Sequence, residues 1–233
     1  MKLGIQSYSL RKLNYEKALE TISKLGIGYV EAFPGHLMPN KNNIKSIIEL
    51  HEKFNVKLIS HGVNGMKNNE KELRSLFEFA KSVGIEVLTA DPDEDALGLV
   101  NDLAKEYEIK VGIHNHGPKH RWGSYKKIYE YVKNLNNNVG MCLDLAHLVR
   151  YGEDPIQAID LLKNRIHDIH LKDVNDKGND VIIGKGIINV KGVLSKVEEL
   201  GLKIPIMIEY ELEDPLSGIT ESIHYLKGFL HNH

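Results

Sequence analysis

The stretch Val111-Gly112-Ile113-His114-Asn115-His116-Gly117 decides how the chain is read. Val111 and Ile113 alternate with Gly112 and His114, the period of two expected of a strand with one apolar face. His114 and His116 fall on the other face, where the strand runs out at Gly117-Pro118. Two imidazoles at a strand's C-terminal end are poor packing material and good metal ligands or proton carriers. Downstream the pattern recurs. Val139-Gly140-Met141-Cys142-Leu143-Asp144 ends in a carboxylate, with His147 just behind it; Ile166-His167-Asp168-Ile169-His170-Leu171 ends in an imidazole; Ile204-Pro205-Ile206-Met207-Ile208-Glu209-Tyr210-Glu211 ends in carboxylates. Four consecutive strands therefore finish in groups that bind metals.

Upstream, Leu3 to Ser9, Gly28 to Phe33, Val56 to His61 and Ile85 to Asp91 read as four more strands. Between the strands lie stretches with apolar residues at helical spacing, such as Ala18-Leu19-Ile22-Leu25 after Asn14 as a cap, and Leu73-Leu76-Phe77-Ala80 closed by Gly84. Pro155 suits a first helical turn, Asn189 caps and Gly201 stops another helix, and a last helix runs from about Ser217 to Leu230. Eight strands alternating with eight helices, with no linker-like segment, predict an α/β protein: a single (β/α)8 TIM barrel over residues 1–233. An open doubly wound sheet is the runner-up. It usually carries a glycine-rich turn after its first strand, where this chain has Ser7-Tyr8-Ser9-Leu10-Arg11. Gly184-Lys185-Gly186 lacks the third glycine and the strand-to-helix setting of a dinucleotide fingerprint, and reads as a turn feeding the next helix.

The 233 residues carry a net charge of -2 and no basic run, so no electrostatic footprint for nucleic acid is present. A single cysteine, Cys142, lies in an apolar strand and has no partner for an internal disulfide, which points to a reducing compartment. Met1 to Gln6 runs straight into a strand without a signal-peptide core, and no stretch approaches the ~20 apolar residues of a membrane span. The expectation is a cytoplasmic protein. Nothing in the residues chooses between a monomer and a homo-oligomer.

In a barrel the active site gathers at the C-terminal ends of the strands. Alternation puts His114 and His116, then Cys142 and Asp144, then Asp168, His170 and Lys172, then Met207, Glu209 and Glu211 on the inward faces of the last four strands. At this point the sequence resembles the xylose isomerase-like superfamily of barrels, which includes sugar isomerases and epimerases, inosose dehydratase and endonuclease IV. The resemblance covers essentially the whole chain and is carried by His114-Asn115-His116-Gly117, Cys142-Leu143-Asp144-Leu145-Ala146-His147, His167 to Asp173, Gly184 to Ile188 and Ile208-Glu209-Tyr210-Glu211. The usual epimerase pattern is glutamate, aspartate, histidine and glutamate on strands five to eight. That pattern implies one divalent metal ion (Mn, Co, Zn, Fe or Mg) on His114, Asp144, His170 and Glu209. His114 departs from it. Epimerases of this pattern place one glutamate on each face of the sugar, and this chain keeps only Glu209, which favours an isomerase, dehydratase or lyase that needs a single base.

The resemblance thus implies a small-molecule sugar or polyol substrate and proton abstraction beside a metal-bound carbonyl, with Glu209 as base and His116 or Lys172 returning a proton or protonating a leaving hydroxyl. Around it, Glu31, His61 and Asp91 at the ends of strands two to four, His147, and Trp122 in the loop after strand five are expected to contact substrate, with His36 within reach of the mouth. Each has a plain alternative: rim hydrogen bonding for the polar groups, loop packing for Trp122, an ion pair with Asp173 or Glu209 for Lys172. Tyr225, His231 and His233 read as surface. Two rival functions stand beside this one. Endonuclease IV-like phosphodiester cleavage needs a multi-zinc cluster and a basic groove that the charge balance disfavours, and a non-catalytic ligand-binding barrel would hold no metal.

Overall fold

The computed structural model describes residues 1–230, so His231 and His233 lie outside the described residues. Eight parallel strands close into a barrel: β1 (Lys2–Gln6), β2 (Tyr29–Ala32), β3 (Lys57–Met66), β4 (Val87–Pro92), β5 (Lys110–His114), β6 (Val139–Asp144), β7 (Ile166–Leu171) and β8 (Pro205–Ile208). Each pairs with the next in the chain, and β8 returns to β1, which excludes the open sheet. The helices are α1 (Tyr15–Lys24), α2 (Ile44–Phe54), α3 (Glu70–Val83), α4 (Leu97–Tyr107), α5 (Tyr125–Val132), α6 (Leu145–Arg150), α7 (Pro155–Leu162), α8 (Val190–Glu199) and α9 (Pro215–Leu230). Among the described residues none is long and apolar enough to cross a membrane.

Local chemistry sets these boundaries. Asn14 and Asn69 cap α1 and α3 by accepting the backbone N–H groups of Lys17 and Glu72, each cap being worth about 1 kcal/mol. Gly84, at φ 76°, ends α3 in the left-handed conformation that glycine adopts without strain. The outward alternates Val111, Ile113, Leu143, Ile169 and Ile208 are fully buried, and burial of such a side chain contributes roughly 1.5–3 kcal/mol. At Gly140 a Cβ would stand 2.1 Å from the Arg165 carbonyl oxygen, so only glycine lets β6 lie this close to β7. The register that results sets His114 beside Cys142 and Asp144 beside His170.

Four expectations are corrected. The helices number nine, not eight, among the described residues, because Asp144 turns the end of β6 directly into α6: its Oδ1 accepts the His147 N–H at 2.8 Å. The first strand stops at Gln6 rather than Ser9, since the Gln6 side chain accepts the Tyr8 N–H and starts a 3-10 turn over Ser7–Leu10. The fifth ends at His114, which leaves His116 in the following loop, its N–H bonded to the Trp122 carbonyl at 3.1 Å. Tyr225 is half-buried against the core instead of lying free on the surface.

Candidate metal centre

The inward side chains of the last four strands meet at the C-terminal mouth. One ligand atom from each of His114, Asp144, His170 and Glu209 lies within 4.8 Å of the other three, so donors from the ends of four strands gather around one point. Asp144 is fully buried and His114 and His170 nearly or fully so. Each has been aimed by the fold. The Asn115 side chain bonds both backbone groups of Asp144, accepting its N–H at 2.8 Å and donating to its carbonyl at 2.9 Å, and so clamps the end of β5 to the end of β6. Asp144 Oδ1 is engaged as the α6 cap, which leaves Oδ2, 3.6 Å from His114 Nε2, buried and without a hydrogen bond.

His170 is held from below. Its Nε2 lies 2.8 Å from Glu31 Oε2, and Glu31 in turn accepts from the Thr89 hydroxyl. The ring's Nδ1 faces upward, 3.0 Å from Glu209 Oε2, but neither atom has a well-formed hydrogen bond. A carboxylate behind a histidine's far nitrogen is the arrangement that fixes the ring of a metal ligand and raises its basicity. Buried donor atoms that converge without partners, on two imidazoles and two carboxylates, fit a divalent ion of the manganese-to-zinc series.

The electrostatics keep the acids ionised. Burial pushes the Glu209 carboxyl up, but the Lys172 ammonium and His170 outweigh it and bring the group down to about 2. Asp144 lies well below the usual carboxylate range for the same reason, burial being overcome by Lys172, His147 and His114. Lys172 is bonded to Glu211 and stands 3.8 Å from Asp144 Oδ2 and 3.9 Å from Glu209 Oε2, so despite burial its ammonium is held charged, with its pKa raised. Its plain alternative, an ion pair with Glu209, is present; Asp173 is occupied elsewhere. Its carboxylate accepts the N–H groups of Gly184, Gly186, Ile188 and Val174, which organises the Gly184-Lys185-Gly186 turn.

A cavity of about 380 Å³ opens on the centre and is lined in part by His114, His116, His147, Glu209 and Glu211. Its facing wall is Tyr8, Phe33 and Pro34, with the two aromatic rings edge to face at 5.4 Å. Sequence reasoning missed this wall. It also gave the aromatic role to Trp122, which the structure buries completely, its Nε1 donating to the Pro92 carbonyl at 2.9 Å. Of the other residues expected at the substrate, only His147 lines the cavity. Glu31 is fully buried beneath the centre, and His61 is fully buried with Nε2 on the Leu37 carbonyl. Asp91 is turned aside to Arg121 at 2.9 Å, and His36 bonds the Leu13 carbonyl. His116 lines the cavity as a neutral imidazole, brought down to about 3 by burial and by the neighbouring His114, His120 and His147.

The profile of the xylose isomerase-like TIM barrel family matches residues 19–229, and the chain belongs to that family. It matches the inosose dehydratase of Clostridium perfringens at 23% identity over 160 residues, 57% of this chain and 52% of that one. The chain thus spans about half the length of the curated relatives it matches. Among solved structures, a D-tagatose 3-epimerase-like protein superimposes with a TM-score of 0.78 at 24% identity, covering 100% of this chain and 99% of that one. The protein IOLI, whose crystal structure has a zinc atom bound, gives 0.80 at 22% identity, covering 100% and 97%. At these identities the two structures establish the fold.

Proposed function

We propose that the protein is a divalent-metal-dependent enzyme that moves a proton at the carbon beside a carbonyl of a sugar or polyol. Within that class a dehydratase or lyase on a keto-sugar or inosose, or an aldose–ketose isomerase, is preferred to a two-base epimerase. The observation that carries this reading is Glu209 Oε2, a buried carboxylate oxygen without a hydrogen bond, on a residue that lines the cavity and converges with three other donors. The kinship with inosose dehydratase supports it.

His114, Asp144, His170 and Glu209 would hold the metal, which when bound supplies Lewis acidity to a carbonyl and its neighbouring hydroxyl. Glu209, kept ionised by Lys172 and His170, takes the proton from the intervening carbon. Lys172 supports the developing negative charge and either protonates a leaving hydroxyl or returns a proton; it suits this better than His116, whose imidazole is neutral and carries no spare proton. Tyr8 and Phe33 offer an apolar wall to the C–H face of a sugar ring. Among the described residues that line the cavity, Glu211 is the one other carboxylate, and Lys172 engages it, which favours a one-base reaction. The buried free thiol of Cys142 and the absence of a basic run agree with a cytoplasmic enzyme of small molecules rather than of DNA.

Elemental analysis of the native protein, combined with a screen of ketoses, aldoses, inososes and 3-keto-sugars in deuterated water, tests the proposal. Bound metal with C–H exchange in one substrate class is the expected result. A protein free of metal and inert to all four classes would point to a non-catalytic barrel.

A further inference from the structure

Beneath the four-donor centre the barrel interior presents a second, overlapping set of ligands. The Cys142 Sγ, one ring nitrogen of His114 and one of His170 lie within 4.8 Å of one another, and all three residues are buried. The register of β5 against β6 places Cys142 directly beside His114. Cys142 is fully buried and free, and Nδ1 of each imidazole is buried without a hydrogen bond. His170 has its Nε2 committed to Glu31, so it can offer one nitrogen, and therefore one ion, at a time.

We infer that His114, Cys142 and His170 form an alternative site for thiophilic divalent ions, cadmium above all and zinc in part. This site and the carboxylate-rich set share two imidazoles and exclude one another. Soft thiolate donors select soft cations, whereas carboxylates favour manganese and magnesium. An ion drawn to Cys142 takes the thiolate beside the shared imidazoles in place of the carboxylate donors, with the thiol proton passing to solvent as the metal–sulfur bond forms. Histidine at position 114 is what makes the second set complete, since a carboxylate there would leave only one imidazole beside the thiol. The inference rests on the reading that His114 and His170 bind metal, but it needs neither Asp144 nor Glu209.

Cadmium titration followed by the ultraviolet thiolate-to-cadmium charge-transfer band tests it, with manganese affinity measured in parallel. The wild-type protein is expected to develop the band to one equivalent. Cys142→Ser should abolish the band and weaken cadmium binding roughly tenfold or more while leaving manganese affinity within about twofold. Should Cys142→Ser fold poorly, Asp144→Asn serves in its place: it should weaken manganese and keep the cadmium band. Absence of the band in wild-type protein that binds manganese overturns the inference and spares the four-ligand reading. A band without manganese binding overturns that reading and sustains the inference, and an unchanged cadmium affinity in Cys142→Ser overturns the inference outright.

Discussion

His170 Nε2 stands 2.8 Å from the fully buried Glu31 Oε2, which leaves Nδ1 as the only ring nitrogen free to face Asp144 and Glu209. Glu31 is therefore a positioning residue: it fixes which nitrogen His170 presents. Glu31→Gln keeps the size but removes the charge that supports the ring. Loss of such an outer partner typically costs about 10–100-fold in metal affinity. Manganese titration by calorimetry on folded variant is expected to show a fall in that range; wild-type affinity would contradict the role.

Asp144 and His170 each supply one of four donors to the proposed ion. Alanine at either position should remove one equivalent of manganese from protein purified and reloaded with that metal. Elemental analysis reads this directly, with circular dichroism as the check on folding, because Asp144 also caps α6. Retention of the full equivalent in either variant would mean that the ion lies elsewhere.

At position 114 the imidazole sets the site's preference. His114→Glu replaces nitrogen with oxygen, and competition between manganese and zinc should shift towards the harder manganese ion. If the ratio does not move, His114 is not a ligand, and His116 in the loop after β5, whose ring centroid lies 4.6 Å away, becomes the candidate.

Much of the barrel was legible because strands and helices write their periods into the chain. Ile113-His114 and Ile169-His170 show an apolar residue outward and a polar one inward, and the barrel turns that alternation into convergence. Relationships between distant residues were not legible. Glu31 and His170 are 139 positions apart, and nothing local to Glu31 says whether it points up to a substrate or across to a ring. Trp122 reads as a substrate contact because it lies in the loop after strand five, but its Nε1 finds a carbonyl at the end of β4 and the indole packs inside, the plain alternative. The α6 helix had a local signal that went unread: Asp144 before Leu145-Ala146-His147-Leu148 is an N-cap in front of a helical run. The Tyr8–Phe33 wall depends on two loops meeting in space, which no short window of sequence shows.

A pH prediction follows from His167, buried on the outer side of β7. Burial, with Lys110 nearby, brings its imidazole from 6.5 down to about 3. The unfolded chain thus takes up a proton below about pH 6.5 that the folded protein refuses. Stability from this group is complete above pH 6.5 and is lost as pH falls towards 3, by at most about 1.4 kcal/mol per pH unit. Urea unfolding of His167→Gln between pH 7 and pH 4 should give a shallower decline than wild type. Parallel curves would show that His167 does not titrate with unfolding.

Proton abstraction by Glu209 is the central claim, and the hydrogen–deuterium exchange rate of the substrate's C–H in deuterated water measures it most directly. Glu209→Gln keeps the shape and one neutral acceptor oxygen but removes nearly all basicity. Loss of a positioned base typically costs ~10²–10⁴-fold in rate. With metal content matched to wild type, exchange is expected to fall by that factor while substrate still binds. Exchange at the wild-type rate under matched metal would contradict the assignment and move the base to another group at the mouth, His116 first.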